Sequence, residues 1–124
     1  GFIMDRVRNI LLADDESRIC SMLLDMLPDC WRVTVTHSGD EVYALLCNCR
    51  GRYDLAIVDV HMPGMGGDES LELARAFGAD LPVLYISGDL GFRVPEGDKI
   101  RILHKPFSMA DLMGTLGFLL GEVL

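Results

Sequence analysis

No stretch of this chain approaches the roughly 20 consecutive apolar residues that a membrane span requires, although half of its residues are hydrophobic and its mean hydropathy is positive. The composition therefore reads as a soluble, globular domain with no spanning segment. A basic face is also missing: 11 Lys and Arg against 19 Asp and Glu leave a formal net charge of −8. Neutralising nucleic-acid phosphates needs clustered cations, so direct nucleic-acid binding by this segment is not expected. Loose basic pairs such as Arg50 and Arg52 read as solvated surface charge. No C-x-x-C spacing links the four cysteines, Cys20, Cys30, Cys47 and Cys49. Cys20 and Cys47 fall within apolar helical patterns and are expected as buried free thiols. A zinc site from Cys47, Cys49 and His37 rests on a bare C-x-C and is the weaker alternative. That cysteine usage fits a reducing, cytoplasmic setting. Gly1 to Met4 lacks the charged and cleavage regions of a signal peptide, and residues 1–4 read as a remnant of expression. At 124 residues a second domain does not fit, and residues 1–124 are expected to form one domain with its core at about 8–120.

What is present is an alternation of short apolar runs with amphipathic stretches. Ile10 to Ala13 and Leu55 to Val58 are apolar on both faces, as in strands of a parallel sheet covered on both sides. Between them, Asp15 to Leu27 places Ile19, Met22, Leu23, Met26 and Leu27 at helical spacing before Pro28. Trp31 to Thr36 alternates as a strand, and a helix opening at Ser38 or Gly39 carries Val42, Leu45, Leu46 and Cys49 up to Gly51. A Gly- and Pro-rich loop, His61 to Gly67, leads to a helix predicted over 68–77. Pro82 to Ser87 is a fourth strand and Ile100 to His104 a fifth. Ser108 is positioned to cap a last helix with Leu112, Leu116, Leu119 and Leu120 on one stripe. This order predicts an α/β fold with a five-stranded parallel sheet, right-handed crossovers and helices on both faces.

Acidic residues stand where two of the apolar runs stop: Asp14 and Asp15 after the first, Asp59 after the second. Ligands of such sheets collect at the carboxyl ends of the strands. If the two runs are neighbours, three carboxylates converge, and each pair about 4 Å apart repels by roughly 4 kcal/mol at an effective dielectric of 20. A hard divalent cation such as Mg²⁺, shared with phosphate oxygens, would relieve that repulsion. Ser87 ends the fourth strand and Lys105 follows the fifth, adding a hydroxyl and an ammonium. Phosphoryl transfer needs positioning and charge neutralisation, and an Asp can be the nucleophile. Taken singly, each Asp could instead cap a helix, Ser87 could be a loop hydroxyl and Lys105 a surface charge. Met62, Met65 and Met109 are expected to fill core gaps.

Four motifs in order, Asp14-Asp15, Asp59-Val60-His61-Met62-Pro63-Gly64-Met65-Gly66-Gly67, Ser87, and Lys105-Pro106-Phe107, give the chain a resemblance to receiver domains of the two-component response-regulator family from Arg8 to Leu120. The resemblance implies the flavodoxin-like strand order 2-1-3-4-5 and the part of a phosphoacceptor signalling module in a phosphorelay. It implies no enzyme activity for the isolated domain beyond self-phosphorylation from a donor. Asp59 would accept a phosphoryl group from a phosphohistidine on a histidine kinase or histidine phosphotransfer protein. Mg²⁺ would be held by Asp15, Asp59 and the backbone carbonyl of His61, with Asp14 acting mainly through water. Lys105 would pair with Asp59 and later with a phosphoryl oxygen, Ser87 would move to bond another, and the Lys105-Pro106 bond would be cis. Asp89 would border the phosphate and tune hydrolysis, with an ordinary turn acid as the equal alternative.

Two features depart from that family. Many members carry an aromatic residue three positions before the strand-five Lys; here it is Ile102, so a rotating ring is excluded at this position, and Tyr85 is the residue left to take a related part. Only 17 residues separate Ser87 from Lys105, with glycines and Pro95 among them, so the fourth helix is expected to be short or absent. The chain fits a lone receiver or, by preference, the receiver of a hybrid histidine kinase, with oligomeric state open. The competing functions are a magnesium-dependent aspartyl-phosphate phosphatase, which would want a second Asp where His61 stands, and an interaction domain that is never phosphorylated.

Overall fold

Side chains alternate between the two faces of a strand, so a strand that is apolar throughout needs cover on both sides. The computed structural model, which describes residues 6–48, 52–62, 69, 72, 81–93 and 97–124, supplies that cover. Its elements are β1 (Asn9–Ala13), α1 (Ser17–Met26), β2 (Arg32–Thr36), α2 (Gly39–Asn48), β3 (Leu55–Asp59), β4 (Val83–Ser87), β5 (Ile100–His104) and α3 (Met109–Leu120). The strands form one parallel sheet in the order β2-β1-β3-β4-β5. Central β3 and β4 are buried at every position, whereas edge strand β2 keeps alternating exposed residues.

Two cores lie on opposite faces. On one, Ile10 and Leu12 of β1, Leu55 and Ile57 of β3 and Leu84 and Ile86 of β4 pack with Cys20 and Leu23 of α1 and Leu112, Leu116 and Leu119 of α3. On the other, Leu11 and Ala13, Ala56 and Val58, and Val83 and Tyr85 pack with Val42 and Leu46 of α2. Each such Leu or Ile taken fully from water contributes about 1.5–3 kcal/mol.

Local chemistry sets the helix ends. Ser108 accepts from the Asp111 amide at 3.0 Å while the Asp111 carboxylate accepts from the Ser108 amide at 3.2 Å, a reciprocal cap. At the other end of α3, Gly121 takes φ 68°, a left-handed conformation that suits glycine. Helix α1 begins two residues later than the sequence predicts, because the Asp14 carboxylate accepts from the Glu16 amide at 2.8 Å and holds the turn between strand and helix.

Some expectations need correction. Met22, placed on the apolar stripe of α1, is 39% exposed, and Met109 is 53% exposed, so neither fills a core gap; Met62 does. Cys20 is a buried free thiol as expected, but Cys47 is only half-buried. No described residue between β4 and β5 is helical, in keeping with a short or absent fourth helix. Glu69 and Glu72 are helical, and the rest of the helix predicted over 68–77 lies outside the described residues, as do Met65, Cys49 and residues 1–4.

Candidate functional site

The sheet register explains why the acids meet. Ala13 pairs with Val58, so the next rung outward sets Asp14 beside Asp59, at the point where the strand order reverses and a crevice opens. Asp14, Asp15 and Asp59 each place a carboxylate oxygen within 4.8 Å of the others. Ser87 closes β4 on the neighbouring strand, and the Lys105 amide donates to the Ser87 carbonyl at 2.9 Å, which brings the lysine to the same end of the sheet.

The carboxylates are not equivalent. Asp59 is buried and held on both sides: its Oδ1 accepts from the His61 amide at 2.9 Å and its Oδ2 lies 3.3 Å from Lys105 Nζ. Asp14 has no exposed surface, and its Oδ2 has no hydrogen-bond partner among the described residues, the Lys105 ammonium standing 3.9 Å away. Burial, reinforced by Asp59 and Asp15, pushes the Asp14 carboxyl up to about 6, against the opposing pull of the Glu16 amide and Lys105. Asp15 is exposed and faces solvent. A buried carboxylate oxygen lacking a partner, an all-oxygen donor set and an open side fit a hard cation that keeps some of its water.

Other expected residues take definite places. The Ser87 hydroxyl is turned to its own loop, donating to the Asp89 carbonyl at 3.2 Å and accepting from the Asp89 amide at 2.9 Å. Asp89 is exposed and its carboxylate accepts from the Gly91 amide at 2.8 Å, the arrangement of a turn acid. Ile102 is half-buried against the core face that includes Tyr85, and Tyr85 is fully buried. The Lys105-Pro106 bond is cis. Beside Lys105, Ile19, Met22, Pro106 and Phe107 line an open hollow of about 360 Å³.

Sequence reasoning missed the support of Asp14. Its backbone carbonyl accepts from His37 Nδ1 at 2.9 Å and from the Cys20 thiol at 3.5 Å. A carbonyl only accepts, so His37 carries its proton on Nδ1. Burial is the main cause that pushes the Cys20 thiol up, which keeps it protonated and a donor. His37 follows β2, so the rule that drew attention to the other strand ends applies to it equally. Cys20 gave no such signal.

Residues 10–116 match the response regulator receiver domain family. The chain is a member of that family. Among solved structures, the receiver domain of the hybrid histidine kinase CckA is 28% identical, with a TM-score of 0.75 over 90% of this chain and 98% of that one. The receiver domain of a sensor histidine kinase from Pseudomonas aeruginosa PAO1, solved with magnesium coordinated in its active site cleft, is 23% identical and has a TM-score of 0.79 over 94% and 100% of the two chains. The two-component response regulator ARR14 of Arabidopsis thaliana is 34% identical over 82 residues, 64% of this chain and 21% of its own length. The transcriptional regulatory protein YkoG of Bacillus subtilis is 28% identical over 116 residues, 87% of this chain and 49% of its own. The receiver thus spans about half, or less, of the length of these curated relatives. Its fold is that of signalling modules rather than of a catalytic family, and no helix among the described residues is long and apolar enough to cross a membrane.

Proposed function

We propose that this receiver is a phosphoacceptor, taking a phosphoryl group on Asp59 from a phosphohistidine of a histidine kinase or phosphotransfer protein and changing conformation as a result. The observation that carries the reading is the clasp on Asp59. One oxygen is occupied by the His61 amide and the other faces the Lys105 ammonium, so the nucleophile is oriented and its charge balanced before a donor arrives. An Asp59 oxygen attacks phosphorus, the P–O bond forms as the P–N bond breaks, and the donor imidazole leaves with the electron pair. Lys105 then follows the charge from the carboxylate to a phosphoryl oxygen. Ser87 turns from Asp89 to hydrogen-bond another, which couples the chemistry to the loop after β4.

Asp15, Asp59 and the His61 carbonyl would hold Mg²⁺, with Asp14 supporting it mainly through water. The metal supplies charge neutralisation on the transferred phosphoryl group. The likeness to the magnesium-bound Pseudomonas receiver carries the fold alone at 23% identity; the metal assignment rests on the three convergent carboxylates and the partnerless Asp14 oxygen. Asp89 borders this site by sequence position, and Ile102 stands where an aromatic ring would otherwise turn. The hollow next to Lys105 offers the donor protein an apolar foothold within reach of Asp59. A reducing cytoplasmic location, and a place within a hybrid histidine kinase like that of the CckA receiver, complete the reading.

Incubation with Mg²⁺ and acetyl phosphate, followed by intact-mass measurement, tests it. One phosphate adduct is expected in the wild type and none in Asp59→Asn. Steady turnover of phosphomonoesters would point to the phosphatase instead, and no adduct even with a cognate phosphohistidine donor would point to an interaction domain.

A further inference from the structure

The segment after β4 hangs on Ser87, a residue with no exposed surface. Its hydroxyl donates to the Asp89 carbonyl at 3.2 Å, and the same carbonyl accepts from the Phe92 amide at 3.2 Å. The Asp89 carboxylate holds the intervening Gly91 amide at 2.8 Å. The backbone of Phe92 is therefore fixed through one carbonyl shared with the Ser87 hydroxyl. Its ring leads back to the site from the other side. It meets His61 edge-on, with centroids 6.4 Å apart and planes at 71°, and Tyr85 at 6.2 Å. His61 supplies the amide that holds Asp59, and Tyr85 sits two residues before Ser87, paired across the sheet with Ile102. Phe92 is tied by its backbone to the switching hydroxyl and by its ring to the acceptor loop.

We propose that Phe92 is the residue that reports the state of the site. A serine hydroxyl has one proton to donate, so Ser87 cannot hold the Asp89 carbonyl and a phosphoryl oxygen together. When it turns to the phosphoryl group, the carbonyl that fixes Phe92 loses one of its two donors and the turn relaxes. The ring then leaves its seat against His61 and Tyr85. The surface around Leu90, 79% exposed, is re-formed with it. This rests on the reading of Asp59 as acceptor and Ser87 as phosphoryl partner.

The test uses the full chain with its five phenylalanines replaced by 4-fluorophenylalanine, the Phe92 resonance being identified by its loss in Phe92→Leu. Fluorine NMR and intact mass are recorded on the same sample before and after Mg²⁺ and acetyl phosphate. The expected result is a single phosphate adduct with the Phe92 resonance displaced. In Ser87→Ala, adduct-bearing molecules should keep the resonance where it stands without phosphate, and Ser87→Thr should restore the displacement. An adduct with an unmoved Phe92 resonance overturns the Phe92 assignment alone, as does an equal displacement in Ser87→Ala. No adduct in the wild type, with acetyl phosphate or with a cognate phosphohistidine donor, overturns the acceptor reading, and the Phe92 switch falls with it.

Discussion

Asp14 is the residue on which the electrostatics of the site depend. Its carboxyl is raised to about 6, chiefly by burial, whereas an Asp in an unfolded chain titrates near 3.9. Between about pH 4 and pH 6 the folded protein keeps a proton that the unfolded chain has already released. The stability of the metal-free protein therefore falls as pH rises through that window, by roughly 3 kcal/mol for a displacement of about two units, and changes no further on this account above it. Asp14→Asn removes the loss. In urea unfolding with a chelator, the variant should be about 2–3 kcal/mol more stable than the wild type near pH 7 and indistinguishable from it near pH 4. An equal difference at both pH values would place the effect elsewhere. Asp14, Asp59, Ser87 and Lys105 were legible in the sequence because each ends or follows an apolar run. Cys20 was not, because it acts on the backbone carbonyl of Asp14, a contact without a sequence signature, whereas His37, which holds the same carbonyl, follows β2 and was open to the same strand-end rule.

At the level of elements, α3 shows how a helix end is bound to its neighbourhood. The Glu122 amide donates to the Gly117 carbonyl at 2.9 Å, and a Cβ on Gly117 would come within 2.5 Å of the Glu122 carbonyl oxygen. Backbone cannot yield as a flexible side chain does, so Gly117→Ala should cost about 1–3 kcal/mol in thermal or urea unfolding. Helix α1 offers a different prediction. Met22 lines the hollow beside Lys105 and is 39% exposed, so Met22→Asp should leave folding nearly unchanged. Transfer from a phosphohistidine protein should slow about tenfold, as the loss of one apolar contact allows, while phosphorylation by acetyl phosphate should proceed at the wild-type rate. Equal slowing with both donors would assign Met22 to the site rather than to the partner surface. Helical spacing placed Met22 on the buried stripe, and the error has a physical cause. Cys20 and Leu23 hold the buried positions of α1, and Met22, one residue before Leu23, is turned from it by about 100° around the helix and is left at the rim.

For the molecule as a whole, the two ends of the described chain are joined away from the site. Arg8, ahead of β1, pairs with Glu122, beyond α3, and Arg6 reaches the same carboxylate at 3.2 Å. The Arg8 and Glu122 side chains are 10% and 12% exposed, so removing one partner leaves a charge in a poorly solvated place. Arg8→Met should lower the unfolding free energy by about 3 kcal/mol without altering Mg²⁺ affinity, measured by urea titration and by metal titration of the same sample. A matching loss of metal affinity would show that this clamp and the site belong to one cooperative unit. The pair was invisible in the sequence, since its members are 114 positions apart and neither lies in a motif.

The sequence by itself determined the strands, the helices that follow them, the family and the residues at the strand ends, because these depend on local periodicity and on short motifs. It also determined the departure at Ile102 and the lack of room for a full helix before β5. Only the tertiary structure decided what depends on distance between segments. It made Asp14 the buried carboxylate and Asp15 the exposed one, and it turned Ser87 toward Asp89. It also set the Phe92 ring between His61 and Tyr85. Those outcomes follow from sheet register and from which side of each rung meets solvent, and both are fixed only when the strands pair.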